Sequence, residues 1–210
     1  MKDLSSKNVI FVAAGQAHTG CITEEGHMYT WGEGENGVLG HGDEHNWESP
    51  KIVNAMIGKK PNQIAFGDSH TAICTADGKV YCFGNGDNGQ LGHGDMEDVL
   101  TPKQVVALED TLISQVACGL HFTMALTSDG QLYTWGNGED GCLGHGSEAS
   151  YMSPVLVERF DGKRVVQISC CNRHSFAIVS ERTKHETRKQ NDVHDTKSEM
   201  FDQDVYDFYS

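Results

Sequence analysis

The sequence predicts an all-β fold: β-propeller blades of four antiparallel strands, set side by side in an incomplete ring. Three observations predict it. A block of residues recurs at a constant step of 52, making Gly32, Gly84 and Gly136 equivalent, and likewise Gly37, Gly89 and Gly141. Each block holds four short β-branched and aromatic runs punctuated by glycine or proline. No block carries a long apolar stripe of helical period. A fixed period of this size marks a stacked unit whose apolar faces are buried only against neighbouring units.

The first unit shows how the strands are set. "NVIFVAAG" (8–15) is β-branched and aromatic and stops at a glycine turn. "TGCIT" (19–23) follows, and Glu25-Gly26 signals a tight hairpin. "HMYTWG" (27–32) alternates, with Met28 and Thr30 on one face and Tyr29 and Trp31 on the other. "SPKIVNAM" (49–56) is expected to be a short strand with its proline at the start, where a missing N–H costs least. Pro102 and Pro154 repeat that proline in the next two units.

Between the third and fourth strands lies "GEGENGVLGHGD" (32–43), which contains a literal G-x-G-x-x-G. A dinucleotide cradle needs a helix N-terminus directly after such a turn. Val38-Leu39-Gly40-His41-Gly42 cannot nucleate one, because two glycines fall within three positions. The string also returns as "GNGDNGQLGHGD" (84–95) and "GNGEDGCLGHGS" (136–147), and no nucleotide enzyme needs identical cradles at a constant step. The motif is structural. Gly32, Gly37, Gly84, Gly89, Gly136 and Gly141 are read as positions of positive φ or of close approach between blades. Trp31, Phe83 and Trp135, which precede the loop, are read as buried structural aromatics.

The organisation follows from the step. Residues 1–7 are a lead-in, and the repeats fill 8–179 as units of about 8–60, 61–111 and 112–163 with a partial unit at 164–179. The fourth unit stops before its third strand and glycine loop. Residues 180–210 are charged, lack an apolar stripe, and are expected to be a disordered or weakly helical tail, with "FDQDVYDFYS" (201–210) as an alternative docking segment. An arc of about three and a half blades would leave apolar faces at both ends, so self-association or continuation into a longer propeller is expected.

Composition excludes several classes. Thirty acidic against 16 basic residues give a net charge of −14, without the clustered Lys and Arg of a nucleic-acid surface. Direct nucleic-acid binding is not expected, whereas an acidic face suits a basic protein. No apolar run of about 18 residues and no signal peptide pattern is present, so no membrane association and a cytoplasmic or nuclear location are expected. Seven cysteines without C-x-x-C do not form a disulfide framework, and Cys21, Cys74, Cys118 and Cys170 sit in apolar runs as small core residues.

Histidine is the residue that invites a chemical reading. His18, His70, His121 and His174 mark a recurring turn before the second strand, and His41, His93 and His145 mark L-G-H-G. Metal ligands must converge at about 2 Å, usually from close spacings, whereas this step places equivalents one blade apart. No metal site, no cofactor and no catalytic constellation is therefore expected.

"GDSHTAICTADGKVYCFGNGDNGQLGHGD" (67–95) resembles, almost position by position, the repeat of the regulator of chromosome condensation family. The likeness extends over about 8–179. It implies a β-propeller, usually of about seven blades. It also implies a protein-interaction module whose loop turns on one face bind a protein partner. By motif position the candidate partner-binding residues are His18, Asp68, His70, His121 and His174. The founding activity of the family, nucleotide exchange on a Ran-type small GTPase, is the alternative implied function. That activity uses a wedge inserted in one glycine loop, and the three loops here have equal length. A light-sensing branch of the family places tryptophan in these turns; here the positions hold Gln16, Asp68, Leu120 and Asn172, and light sensing fails on residues.

Overall fold

The computed structural model describes residues 4–180 and 203–208, which form four antiparallel sheets standing as successive blades of an open arc. The first blade is β1 (Val9–Ala14), β2 (His18–Thr23), β3 (Met28–Gly32) and β4 (Trp47–Ile52). The second is β5 (Pro61–Phe66), β6 (His70–Thr75), β7 (Val80–Gly84) and β8 (Val99–Gln104). The third is β9 (Ile113–Cys118), β10 (Phe122–Thr127), β11 (Leu132–Gly136) and β12 (Tyr151–Leu156). In these three blades every strand pairs with its neighbour in chain order. The repeat is therefore a repeat of register: His18 faces Gly32, His70 faces Gly84 and Phe122 faces Gly136.

The outer strands begin earlier than the sequence suggests. β4 starts at Trp47, so Pro50 lies within the strand, and Asn54–Met56 is a single 3-10 turn after it. Proline is accommodated because this is the sheet's edge. The glycine loops hold only one 3-10 turn each, at Glu35–Gly37 and Glu139–Gly141 in the first and third blades, so no helix follows the G-x-G-x-x-G string.

The core lies between blades. Ile22, Met28 and Ile73 pack with Ile64 and Phe83 across the first junction. Val80 and Leu91 meet Val116 and Trp135 at the second, and Met124 and Leu132 meet Ile168 and Phe208 at the third. The aromatic before each glycine loop sits on the L-G-H-G glycine of the preceding blade. A Cβ on Gly40 would come within 2.7 Å of Phe83, and one on Gly92 within 2.6 Å of Trp135. Both aromatics are fully buried, and Trp135 Nε1–H donates to the Gln90 carbonyl at 2.9 Å. Trp31 differs from the expectation of burial. It is half-buried, because no preceding blade among the described residues supplies its glycine.

The two end faces show the same effect. Val12 is 69% exposed, whereas its equivalent Ile64 is 2% exposed under the first blade. At the far end Val205 is 69% exposed where Val80 is 1%.

The fourth blade corrects the reading of the tail. It consists of β13 (Arg164–Cys171), β14 (His174–Ser180) and β15 (Gln203–Asp207). Ala177 faces Tyr206 as Ile73 faces Tyr81, so β15 takes the register of a third strand. Phe208 then occupies the place of Phe83 and Trp135, packed on Gly144 and edge-on to Phe160 at 5.7 Å. Val205-Tyr206-Asp207-Phe208 is the V-Y-x-F of Val80-Tyr81-Cys82-Phe83. Burying Phe208 and part of Tyr206 supplies the apolar area that orders this segment. The rest of the expected tail, 181–202, lies outside the described residues.

Candidate partner-binding face

The turns joining first and second strands lie on one face together with the glycine loops. Backbone bonds tie the turns from blade to blade: Asp68 N–H donates to Leu120 O at 3.4 Å, and Leu120 N–H to Asn172 O at 2.6 Å. Hydroxyls tie each turn to the preceding glycine loop. Thr71 donates to the Val38 carbonyl and Thr123 to the Gln90 carbonyl, both at 2.8 Å, and Ser175 donates to the Cys142 carbonyl. The result is a rigid surface carried on a packed scaffold.

The structure divides the five candidate residues. His70 is fully buried, and its Nε2–H donates to Thr123 Oγ1 at 2.9 Å, since the threonine proton is committed to Gln90. His18 is buried edge-on against Phe66 at 4.6 Å. Both rings are turned inward against the next blade, His70 by its bond to Thr123 and His18 by packing on Phe66, and neither is exposed to a partner, which corrects their assignment to partner contact. His121 requires a second correction: it occupies the position of Ser69, and Phe122 takes the buried place of His70. Gly15, Gly67 and Gly119 confirm the alignment, because a Cβ on each would strike the ring of His18, His70 or Phe122 respectively. His121 is half-buried, Asp68 is half-buried and His174 is exposed.

The L-G-H-G histidines are likewise tied inward. His41 Nε2–H donates to Thr30 Oγ1 at 3.0 Å, and that hydroxyl donates to Leu39 O at 2.7 Å. His145 repeats the pair on Thr134 at 2.9 Å, and His93 Nε2–H donates to the Cys82 carbonyl at 3.2 Å. Among the described residues no group of His, Cys, Asp and Glu converges on a metal position. Burial also pushes the Cys74 and Cys118 thiols up to about 12 and the Cys142 thiol up to about 11, so none of these is a thiolate nucleophile at neutral pH.

Burial holds the His18 imidazole down at about 4 and the His70 imidazole down at about 3, against an ordinary 6.5. The unfolded chain thus takes up protons that the folded chain refuses. Stability is full above about pH 6.5 and declines as pH falls towards 4, by about 2–3 kcal/mol per such histidine near pH 4.5. We expect His70→Phe, which copies Phe122, to make the decline of melting temperature between pH 6.5 and 4.5 shallower. Parallel curves for variant and parent would contradict it.

Over the first two blades the exposed charge of this face is acidic. Glu33, Glu35 and Asp68 border a cleft of about 290 Å³ between the first two turns, with Gln16 and Asn36 on its rim. Asp87 and Glu139 stand at the position of Glu35 in the next two loops, both exposed. In the third blade Arg173 counters this charge, reaching Asp140 at 3.1 Å and Glu139 at 3.5 Å. The uncompensated acids therefore concentrate over the first two blades. Of this group sequence reasoning named Asp68 but missed Glu33 and Glu35; the signal for Glu35 was the acid recurring at the same place in each G-x-G-x-x-G.

Strand order, blade packing and turn chemistry define a propeller of the chromosome-condensation-regulator type. The chain belongs to the RCC1-like domain family, whose pattern it matches over residues 1–185. The human E3 ubiquitin-protein ligase HERC2 is 38% identical over 183 residues, covering 86% of this chain and 4% of that protein. The Arabidopsis thaliana ultraviolet-B receptor UVR8 is 44% identical over 168 residues, covering 80% of this chain and 38% of that protein. Among solved structures, human WBSCR16 superposes with a TM-score of 0.75 at 25% identity, over 84% of this chain and 48% of that one. Saccharomyces cerevisiae Prp20p superposes with a TM-score of 0.76 at 22% identity, over 85% of this chain and 45% of that one. The chain thus spans less than half the length of each.

Proposed function

We propose that this RCC1-like propeller module binds a protein partner of basic surface through the face formed by its turns and glycine loops. The observation that carries the reading is the set of uncompensated carboxylates, Glu33, Glu35 and Asp68, around one cleft on a rigid face. The net charge of −14 reinforces the same complementarity, which steers association and is screened by salt. His18 and His70 lie beneath this face, held neutral by burial.

The second reading is nucleotide exchange on a Ran-type small GTPase. It is favoured by Asp68, which family resemblance places on the GTPase-facing turn and which is partly exposed. It lacks the wedge, since the three glycine loops have equal length. A pull-down with the immobilised chain tests both readings, using basic proteins such as histones and small GTPases in nucleotide-free and GTP-loaded forms. Retention that weakens with salt supports the first reading. Retention selective for the nucleotide-free form supports the second. No retention at low salt counts against both.

A further inference from the structure

We propose that the cleft between the first two blades is a slot for a single arginine side chain of the partner. The inference rests on the proposed binding face and names its anchor. Both blades around the cleft are described in full.

The other two junctions show what this slot is built to hold, because each fills the equivalent space from within the chain. At the second junction the filler is Gln90, which is fully buried. Its Nε2–H donates to Asn85 Oδ1 and its Oε1 accepts from Asn88 N–H, both at 2.8 Å. Asp87 N–H also donates to Asn85 Oδ1, at 3.3 Å. At the third junction the filler is an arginine. Cys142 stands in place of Gln90, and Arg173 of the next turn reaches across to Asp140 at 3.1 Å and Glu139 at 3.5 Å. Only about 10 Å³ remains there.

The first junction has neither filler. Val38 stands at the position of Gln90, Glu33 at that of Asn85 and Ser69 at that of Arg173. The cleft of about 290 Å³ is the space these shorter or outward-facing side chains leave. Glu35 N–H and Asn36 N–H, the equivalents of the Asp87 and Asn88 donors, have no hydrogen-bond partner among the described residues. His18 lines the same space and is 3% exposed, and its Nε2 has no partner, whereas Nε2 of the equivalent His70 is bonded to Thr123. The acids are kept although the filler is not: Glu33, Glu35 and Asp68 line the cleft, and no lysine or arginine does.

A guanidinium answers this set of groups. It is planar, as is the Gln90 carboxamide, and it carries the charge that Arg173 supplies at the third junction. Its N–H fork donates to carboxylates in pairs, which the compact ammonium of lysine cannot do. The main-chain carbonyl beside it supplies an acceptor for the Glu35 and Asn36 N–H groups.

The test titrates a Gly-Arg-Gly peptide with blocked ends into the full chain and follows the backbone amide signals by NMR. Counterparts carry lysine or citrulline in place of arginine; citrulline keeps the plane and removes the charge. We expect saturable binding of the arginine peptide, with shifts centred on residues 33–38 and 68–69, and at least tenfold weaker binding of both counterparts. Two variants fill the slot from within. Glu33→Asn with Val38→Gln copies the second junction, and Ser69→Arg copies the third. Each is expected to hold its melting temperature and to weaken the arginine peptide at least tenfold. Absence of saturable binding overturns the proposal, as does equal binding of either counterpart or undiminished binding by both variants. Any of these removes the slot alone, since the reading of the whole face stands or falls on retention of basic proteins in the pull-down.

Discussion

Gly136→Ala is expected to destabilise the fold by more than about 3 kcal/mol and to leave much of the chain unfolded at 37 °C. Two effects add. Gly136 holds φ +107, a conformation that an L side chain adopts only under strain of about 1–3 kcal/mol. Its Cβ would also lie 2.5 Å from His121 O and 2.7 Å from Phe122 Cα. Those atoms are backbone of the paired strand, so relief requires opening the β10–β11 register rather than rotating a side chain. Gly136 also closes the strand that ends in buried Trp135, so the second junction would loosen with it. Denaturant unfolding checks this; a loss below about 1 kcal/mol would contradict it.

Phe208→Ala carries the second large effect. The ring is 4% exposed, packed on Gly144 and against Phe160, and its removal leaves a cavity at the third junction. Truncation of a buried phenylalanine costs about 3–5 kcal/mol. Because each blade of a repeat array is held mainly by its neighbours, the damage should be local. Hydrogen exchange should show β13 and β14 losing protection while β5 to β8 retain theirs. Unchanged protection of β14 would show that the segment does not complete the fourth blade.

Most of the fold was legible because the 52-residue step is a register step: equivalent residues of successive blades occupy the same rung. Two features were not. In "CGLHFT" (118–123) the histidine precedes the ring position by one residue, and an apolar phenylalanine replaces it. A buried slot accepts either ring, so spelling alone misaligned the blade. The third strand of the fourth blade was hidden by distance. Its V-Y-x-F at 205–208 follows β14 only after 24 intervening, mostly charged and polar residues, 181–204, where the other blades allow a short hairpin. The candidate partner-binding residues were less legible than the fold. Motif position selected His18 and His70, which the packing of the next blade buries, and passed over the exposed acids of the glycine loops. Burial, not residue type, separates the buried rings from the exposed candidates.

The most direct test of the proposed function is to measure affinity and melting temperature on the same sample of the charge-reversed Glu33→Lys, Asp68→Lys variant, using a partner retained in the pull-down. Carboxylates that contact the partner but not the core should give at least a tenfold loss of affinity and a weaker salt dependence. The melting temperature should stay unchanged. Undiminished affinity would contradict the account, as would a loss that appears only with a parallel fall in melting temperature.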